Sequence, residues 1–165
     1  FNKLKLNDQK FHIGAEYMIS FDMISEIENN NIITLADTKY VLIEMSYMNG
    51  HDEIFDIIFR LKSKNYKPIL AHPERYLYYF NNIRELKKIK HFGCYFQINL
   101  FSLVGLYGAK VSKFCDKLID ENLIDFVGSD IHNESQLRNF HNKVVTKKLK
   151  KLEGIINNNI ISFSK

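Results

Sequence analysis

The segment Lys67-Pro-Ile-Leu-Ala-His-Pro-Glu-Arg-Tyr76 decides how the chain is interpreted. Its apolar run begins at Pro68 and ends at His72, just before a second proline, Pro73, and this pattern predicts a short buried strand. His72 then lies at the carboxyl end of the strand, where β/α barrels and open α/β sheets place their functional sites. An imidazole can bind a metal or move a proton, and Arg75 nearby can hold an anion.

The composition is typical of a globular protein with one domain. The chain has 165 residues, of which 45% are hydrophobic and 25% charged, so we expect one sizeable core and no extended disorder. No apolar run is long enough to cross a membrane, and the chain does not begin with a signal peptide. Cys94 and Cys115 form no C-x-x-C pair, which favours a reducing cytoplasm and buried thiols. We therefore predict one cytoplasmic domain over residues 1–165, without membrane insertion.

A basic segment, Lys143–Lys151, carries much of the formal net charge of +4. Such a segment could bind nucleic acid or a membrane surface. However, apolar residues recur around its lysines at helical spacing, which favours an amphipathic helix with a solvated basic face. A nucleic-acid partner is therefore not the favoured interpretation. The apolar positions are Val144, Val145, Leu149, Leu152, Ile155 and Ile156.

Short apolar runs alternate with amphipathic segments along the chain. This alternation predicts parallel strands connected by helices through right-handed crossovers. The predicted strands are Phe11–Glu16, Tyr40–Glu44, Pro68–Ala71, Tyr95–Asn99 and Ile124–Val127. The predicted helices are Ser20–Glu28, Asp52–Lys62, Asn82–Lys90, which ends before a helix stop at Gly93, Lys110–Ile119 and a long terminal helix.

A polar residue follows the apolar part of each predicted strand at nearly constant spacing. Glu16, Glu44, His72, Asn99 and Asp130 are separated by 27 to 31 residues, which is close to the length of one βα unit. The fold class predicted is α/β, as a β/α barrel or a large part of one. Since a complete barrel of eight units takes about 250 residues, the chain is short for this fold.

Five polar residues are expected to converge at the carboxyl edge of the sheet: Glu16, Glu44, His72, Asp130 and His132. Crowded carboxylates repel one another unless a cation neutralises them. A mixed set of His, Asp and Glu suits Zn, Mn or Fe better than Ca. Asp130 and His132 are separated by one residue, so both point the same way in an extended segment. The pattern therefore predicts a metal site.

Arg75 and Arg138 lie a few residues beyond two of these strand ends, where a guanidinium can hold a phosphate through two hydrogen bonds. Metal ions together with arginines indicate hydrolysis of a phosphate ester. A cysteine phosphatase is excluded because neither cysteine is followed by Arg at the sixth position. The chain also lacks the G-x-S-x-G, G-x-x-x-x-G-K-[ST] and G-x-G-x-x-G motifs.

Several of these motifs, in this order, resemble the bacterial PHP-type protein-tyrosine phosphatases of capsule and exopolysaccharide gene clusters. PHP denotes the polymerase and histidinol phosphatase family. The resemblance extends from about Phe11 to about Arg138. The motifs are Gly14-Ala-Glu-Tyr17, Leu42-Ile-Glu44, Ala71-His-Pro-Glu-Arg-Tyr76, Gln97-Ile-Asn-Leu-Phe-Ser-Leu-Val-Gly105 and Ser129-Asp-Ile-His-Asn133.

This resemblance implies a distorted, TIM-like β/α barrel that holds up to three divalent metal ions. Manganese is the usual metal of the family, with Fe, Zn or Mg as alternatives. The implied substrate is a phosphotyrosine protein, the tail of a bacterial tyrosine kinase, and homo-oligomers are left open. By motif position, the implied metal ligands are Glu16, Glu44, His72, Asp130 and His132, and the implied catalytic or phosphate-binding residues are Arg75 and Arg138.

The chain departs from the family pattern at its beginning. The family opens with a strand bearing H-x-H, and nothing before Glu16 supplies this motif, since His12 lies inside the first predicted strand. We expect roughly two βα units to be missing ahead of Phe1, so that the barrel is incomplete there. Two alternatives stay open: a PHP phosphoesterase acting on a small molecule such as histidinol phosphate, and a metal-depleted binding module without catalysis.

Overall fold

A computed structural model describes residues 12–48, 50, 53–140 and 149–163. Its strands form one five-stranded parallel sheet in the order β1-β2-β3-β4-β5. The strands are β1 Glu16–Met18, β2 Tyr40–Glu44, β3 Lys67–Ala71, β4 Tyr95–Asn99 and β5 Phe126–Gly128. The helices are α1 Phe21–Glu28, α2 Ile54–Ser63, α3 Ile83–His91, α4 Leu100–Leu103, α5 Ala109–Asp120, α6 Glu134–Phe140 and α7 Leu149–Phe163. The predicted α/β class with a parallel sheet is confirmed.

Alternating side chains of each strand enter two separate apolar layers, as the two-residue period of a strand requires. In β2, Val41 and Ile43 join the large layer beneath the helices, whereas Leu42 faces the opposite side of the sheet. In β3, Leu70 joins the helix layer, and Ile69 faces the opposite side with Leu42. The central strands are buried on both faces, which explains their continuous apolar sequences.

The larger apolar layer is built by the helices that follow the strands. Their buried residues recur at helical spacing, so each helix turns one apolar stripe towards the sheet. These residues include Met23 and Ile27 of α1, Ile54, Ile57, Ile58 and Leu61 of α2, Leu86 and Ile89 of α3, and Val111, Phe114, Cys115, Leu118 and Ile119 of α5. Both cysteines are buried free thiols, as expected, and burial raises the pKa of Cys94 to about 12.

Helix α7 lies against β5 at one edge of the sheet. The side-chain amide of Asn159 accepts a hydrogen bond from Val127 N at 3.1 Å and donates one to Val127 O at 2.8 Å. These bonds satisfy backbone groups that a strand edge otherwise leaves unpaired. Phe163, at the end of α7, packs against the apolar layer on the face of the sheet away from α1–α5.

Two sequence predictions need correction, and a third lies partly outside the described residues. The first strand was predicted to end at Glu16, but β1 begins there, because its register pairs Glu16 with Leu42 and Met18 with Glu44. The fifth strand is shifted towards Gly128, which pairs with Asn99. The terminal helix was predicted to be one long helix; α6 and α7 lie on either side of residues 141–148, which include most of the basic segment and lie outside the described residues, so the prediction is not tested there.

Tyr76 joins the loop after β3 to the end of β2. Its ring is completely buried, and its hydroxyl accepts a hydrogen bond from Met45 N at 2.9 Å. Tyr76→Phe leaves this buried donor unsatisfied, so we expect the free energy of unfolding to fall by about 1–2 kcal/mol. Urea unfolding measures the change. Tyr66→Phe is the control, since its hydroxyl makes no hydrogen bond within the described residues and should cost less than about 0.5 kcal/mol.

Candidate active site

A cavity of about 270 Å³ opens at the carboxyl ends of the parallel strands. This is the edge at which α/β sheets of this kind bind their ligands. Of the seven residues predicted as site residues, the cavity brings together six, and Arg138 is not among its lining residues. The lining residues are Glu16, Glu44, Tyr47, His72, Arg75, Tyr107, Asp130, His132 and Gln136.

Three of these side chains, Glu16, Glu44 and His72, converge closely enough to share one ion. One donor atom from each lies within 4.8 Å of the other two. His72 Nε2 is 3.2 Å from Glu16 Oε1 and 3.6 Å from Glu44 Oε1. Two carboxylates and one imidazole fit Zn, Mn or Fe. The residues present therefore suit a divalent cation, which would neutralise two neighbouring carboxylates.

The backbone at His72 is held in an unusual conformation. His72 has φ of 34° and ψ of 53°, in the left-handed region, which costs a residue with a Cβ about 1–2 kcal/mol. Its N–H donates to Gln97 O at 2.7 Å, and its carbonyl accepts from Arg75 N at 2.9 Å. These bonds fix the turn between β3 and the 3₁₀ turn at Pro73–Arg75. As a result, the buried imidazole of His72 points into the cavity, and the side chain of Arg75, three residues later, lines the same cavity.

Asp130 lies beside this cluster but is held by other partners. Its Oδ2 accepts hydrogen bonds from Arg75 Nη1 at 2.7 Å and from Asn99 Nδ2 at 3.0 Å. The ring of His132 stays near it, with Nδ1 3.0 Å from Asp130 O and 3.2 Å from Asp130 Oδ1. The His132 side chain is 71% exposed, against 5% for His72. Asp130 and His132 thus form a second pair on the cavity wall.

Arg138 takes a different position from Arg75. It lies on α6, and its Nη2 is 3.4 Å from Glu134 Oε1, with both side chains more than 70% exposed. Gln136, in the same helix, lines the cavity, and its side-chain oxygen accepts a hydrogen bond from His132 N at 2.6 Å. The structure therefore places α6 beside the site but does not bring the Arg138 guanidinium into it.

Sequence reasoning missed several residues that the fold brings to the cavity or to its wall: Tyr47, Asn99, Tyr107 and Gln136. Asn99 was recognised as the end of β4, and its strand-end position was the available signal for a site residue. Tyr47 and Tyr107 lie in loops, where no periodicity marks them. Tyr47 had a weak sequence signal, since it lies three residues after the end of β2, whereas Tyr107 lies eight residues after the end of β4, beyond α4.

Glu74 is a buried carboxyl group that does not line the cavity but hydrogen-bonds residues next to it. Its Oε1 accepts hydrogen bonds from Asn99 N at 2.9 Å and Ser102 Oγ at 2.6 Å. Complete burial raises the pKa of Glu74, and its bonds to Ser102 and Asn99 oppose that rise. Since Asn99 in turn donates to Asp130, Glu74 connects the loop after β3 to the cavity wall. The Glu of the A-H-P-E-R motif is therefore a support of the site.

The family model described as capsular polysaccharide synthesis, CpsB/CapC, matches residues 2–162. The chain is 33% identical over 141 residues to the tyrosine-protein phosphatase YwqE of Bacillus subtilis, covering 84% of this chain and 55% of YwqE. It is 32% identical over 126 residues to the tyrosine-protein phosphatase CpsB of Streptococcus pneumoniae, covering 73% of this chain and 51% of CpsB.

A solved structure is also similar. It comes from work on YwqE from Bacillus subtilis and CpsB from Streptococcus pneumoniae, described as unique metal-dependent tyrosine phosphatases. The TM-score is 0.69 at 29% identity, over 92% of this chain and 57% of the solved one. The chain spans about half the length of the curated relatives it matches. Among the described residues, no helix is both long and apolar enough to cross a membrane.

Proposed function

The chain belongs to the CpsB/CapC family of capsular polysaccharide synthesis, and from this premise we propose that the complete protein is a metal-dependent protein-tyrosine phosphatase. The proposal rests on one observation: the three possible metal ligands Glu16, Glu44 and His72 line the same cavity as Arg75. Both parts are needed for hydrolysis of a phosphate ester, since the negative phosphoryl group must be bound as well as attacked. The relatives named tyrosine-protein phosphatases support the same reaction.

We propose that Glu16, Glu44 and His72 hold one divalent ion, and that Asp130 and His132 contribute to a further one. For the intact protein we propose up to three ions, with manganese as the metal and Fe, Zn and Mg as alternatives. A divalent ion at such a site supplies Lewis-acid polarisation of the phosphoryl group and a water of lowered pKa. A bound cation would offset the repulsion between the two glutamates, whose donor atoms lie within 4.8 Å of each other.

The protein's own contribution is to bind and orient the phosphoryl group. Arg75 projects into the cavity, and its Nη1 is held by Asp130 Oδ2 at 2.7 Å. Asp130 is in turn fixed by Asn99, and the backbone of Asn99 is fixed by Glu74. The guanidinium is therefore oriented before substrate arrives, and its remaining N–H groups can donate to phosphoryl oxygens. Such preorganised donors act without the cost of rearrangement.

A phosphotyrosine protein is the proposed substrate rather than a small phosphate ester. Exposed apolar side chains adjoin cavity residues in three loops: Met48 follows Tyr47, Leu106 precedes Tyr107, and Ile131 stands between Asp130 and His132. Exposed apolar groups beside a polar cavity favour contact with a partner protein. We propose the tail of a bacterial tyrosine kinase as that partner.

We further propose that residues 1–165 form one domain and belong to a distorted β/α barrel of the PHP type. Five parallel strands in sequential order, with α1, α2, α3 and α5 packed on one face, support this architecture.

The test is to assay the intact protein on a phosphotyrosine peptide and on histidinol phosphate, with manganese and after chelation. We expect peptide turnover that is lost on chelation and restored by manganese. Faster turnover of histidinol phosphate would favour the small-molecule phosphoesterase. Metal binding without turnover of either ester would contradict the enzymatic proposal and favour a binding module.

The contribution of Arg138 can be separated from that of Arg75. Since the Arg138 side chain is exposed and pairs with Glu134, we expect Arg138→Ala to lower kcat/KM on a phosphotyrosine peptide by less than about tenfold. This corresponds to less than about 1.4 kcal/mol of transition-state stabilisation. Steady-state kinetics of Arg138→Ala beside Glu134→Ala measures it. A loss of a hundredfold or more in Arg138→Ala alone would show that α6 brings Arg138 to the substrate.

A further inference from the structure

Arg75 lies between loops that come from the two neighbours of its own strand. It follows β3, whereas Tyr47 follows β2 and Tyr107 lies between β4 and α5. Because β2 and β4 are hydrogen-bonded to β3 on its two sides, the two tyrosines reach Arg75 from opposite directions along the rim. All three side chains line the same cavity.

Both tyrosine rings contact the guanidinium group. Arg75 Cζ is 4.9 Å from the centre of the Tyr47 ring and 4.5 Å from the centre of the Tyr107 ring. A planar guanidinium stacks on aromatic faces, and the attraction grows as water is excluded. The Arg75 side chain is 22% exposed, so these contacts lie in a partly dehydrated setting. A lysine ammonium has no plane for the rings to hold.

The hydroxyl of Tyr107 contributes less than its ring. It accepts from Asn99 Nδ2 at 3.4 Å, which is a long distance for a strong hydrogen bond. The same Nδ2 group donates to Asp130 Oδ2 at 3.0 Å. The rings are therefore the parts that contact Arg75, while Asp130 fixes one end of its guanidinium. The Tyr47 hydroxyl has a different neighbour, since it lies 3.4 Å from both ring nitrogens of His72.

We propose that Tyr47 and Tyr107 are positioning residues that hold the plane of the Arg75 guanidinium for binding a phosphoryl group. The inference rests on the proposed function, because it gives Arg75 the role of binding phosphate there. Asp130 restrains one nitrogen, and the two rings limit rotation of the plane. An oriented pair of N–H groups then meets the phosphoryl oxygens with less loss of side-chain freedom on binding.

The experiment is a set of double-mutant cycles in the intact protein loaded with manganese. Tyr107→Phe, Tyr107→Leu and Tyr47→Leu are made alone, and the two leucine variants are also combined with Arg75→Lys. Affinity for inorganic phosphate is measured by calorimetry, and kcat and KM are measured on a phosphotyrosine peptide. Tyr66→Leu is the matched control, since this half-buried tyrosine packs on the main core and does not line the cavity.

With Arg75 present, we expect each leucine variant to weaken phosphate affinity and kcat/KM by about five- to thirtyfold. In the Arg75→Lys background, the same changes should cost less than about twofold, because the partner of the rings is gone. Tyr107→Phe should stay within about twofold of the parent. Metal content should be unchanged in both Tyr107 variants and in Tyr66→Leu, which a general loss of structure would not permit. For Tyr47→Leu, whose ring stacks on His72 in the parent, phosphate affinity is compared at full manganese loading.

Equal losses in both backgrounds would overturn the inference, because the tyrosines would then act independently of Arg75. A parent protein that binds no phosphate would overturn it as well. If Tyr107→Leu does not fold, Tyr47→Leu carries the test, because Tyr47 is 41% exposed. Its loss is then read from the coupling with Arg75→Lys at equal metal content, since the Tyr47 ring also stacks on His72. Phosphate binding with coupled losses, but without peptide turnover, would support the positioning role and refute the proposed enzymatic function separately.

Discussion

His72→Ala in the intact protein is expected to lose its bound divalent metal and at least about a thousandfold in kcat/KM on a phosphotyrosine peptide. The expected loss corresponds to about 4 kcal/mol, in the range that a metal ion contributes to transition-state stabilisation. His72 is the central member of the three-donor cluster, with its Nε2 facing both Glu16 and Glu44. No other imidazole belongs to that cluster among the described residues.

Removing the imidazole leaves two facing carboxylates with one neutral ligand fewer. A cation that is bound through fewer donors dissociates more easily, and without it the remaining glutamates repel each other. The buried position of His72, at 4% exposure, also means that the alanine variant opens space which water can enter. Adding excess manganese should therefore restore activity only in part.

The matched control is His91→Ala, in which an exposed histidine at the end of α3 is replaced. It should bind metal and turn over peptide as the parent does. Metal content by atomic emission and kinetics on the same preparations decide the question. Unchanged metal occupancy in His72→Ala would remove the cluster of Glu16, Glu44 and His72 from the proposed site.

The sequence was sufficient to predict much of this site because the fold repeats. Each βα unit returns the chain to the same edge, so Glu44 at the end of β2 and His72 just after β3 could be placed together before any contact was known. The apolar runs also indicated which residues are strands, since Leu42 and Ile69 are buried in a sheet covered on both faces.

Strand register and contacts between loops were harder to predict from the sequence. Glu16 was predicted at the end of its strand, but it lies at the beginning. An apolar run indicates that a strand is present, whereas the pairing of β1 with β2 determines where β1 begins. Asn99 and Asp130 are 31 residues apart, and Glu74 and Ser102 are 28 apart. No local pattern reports such bonds. The positions of Arg138 and of the tyrosines around Arg75 were not predicted for the same reason, because the orientation of a helix or loop depends on tertiary packing.

Arg75→Lys is expected to lower kcat/KM on a phosphotyrosine peptide by about a hundredfold, with most of the loss in kcat, while metal content stays unchanged. Removal of one preorganised donor from a transition-state site typically costs kcat a factor of this size. Lysine keeps the positive charge but lacks the fork that donates to two phosphoryl oxygens at once. It also lacks the plane that Tyr47 and Tyr107 contact.

The metal should remain because Arg75 contributes no donor atom to the cluster of Glu16, Glu44 and His72. Arg60→Lys is the control, since Arg60 is a surface residue of α2 that pairs with Asp56 and Glu28 through side-chain bonds of 2.7 Å. That variant should match the parent. Metal content and kinetics measured together separate two roles for Arg75. A parallel fall of both would mean that Arg75 acts by holding Asp130 in place for the metal, whereas unaltered kcat/KM would mean that it does not meet the phosphoryl group.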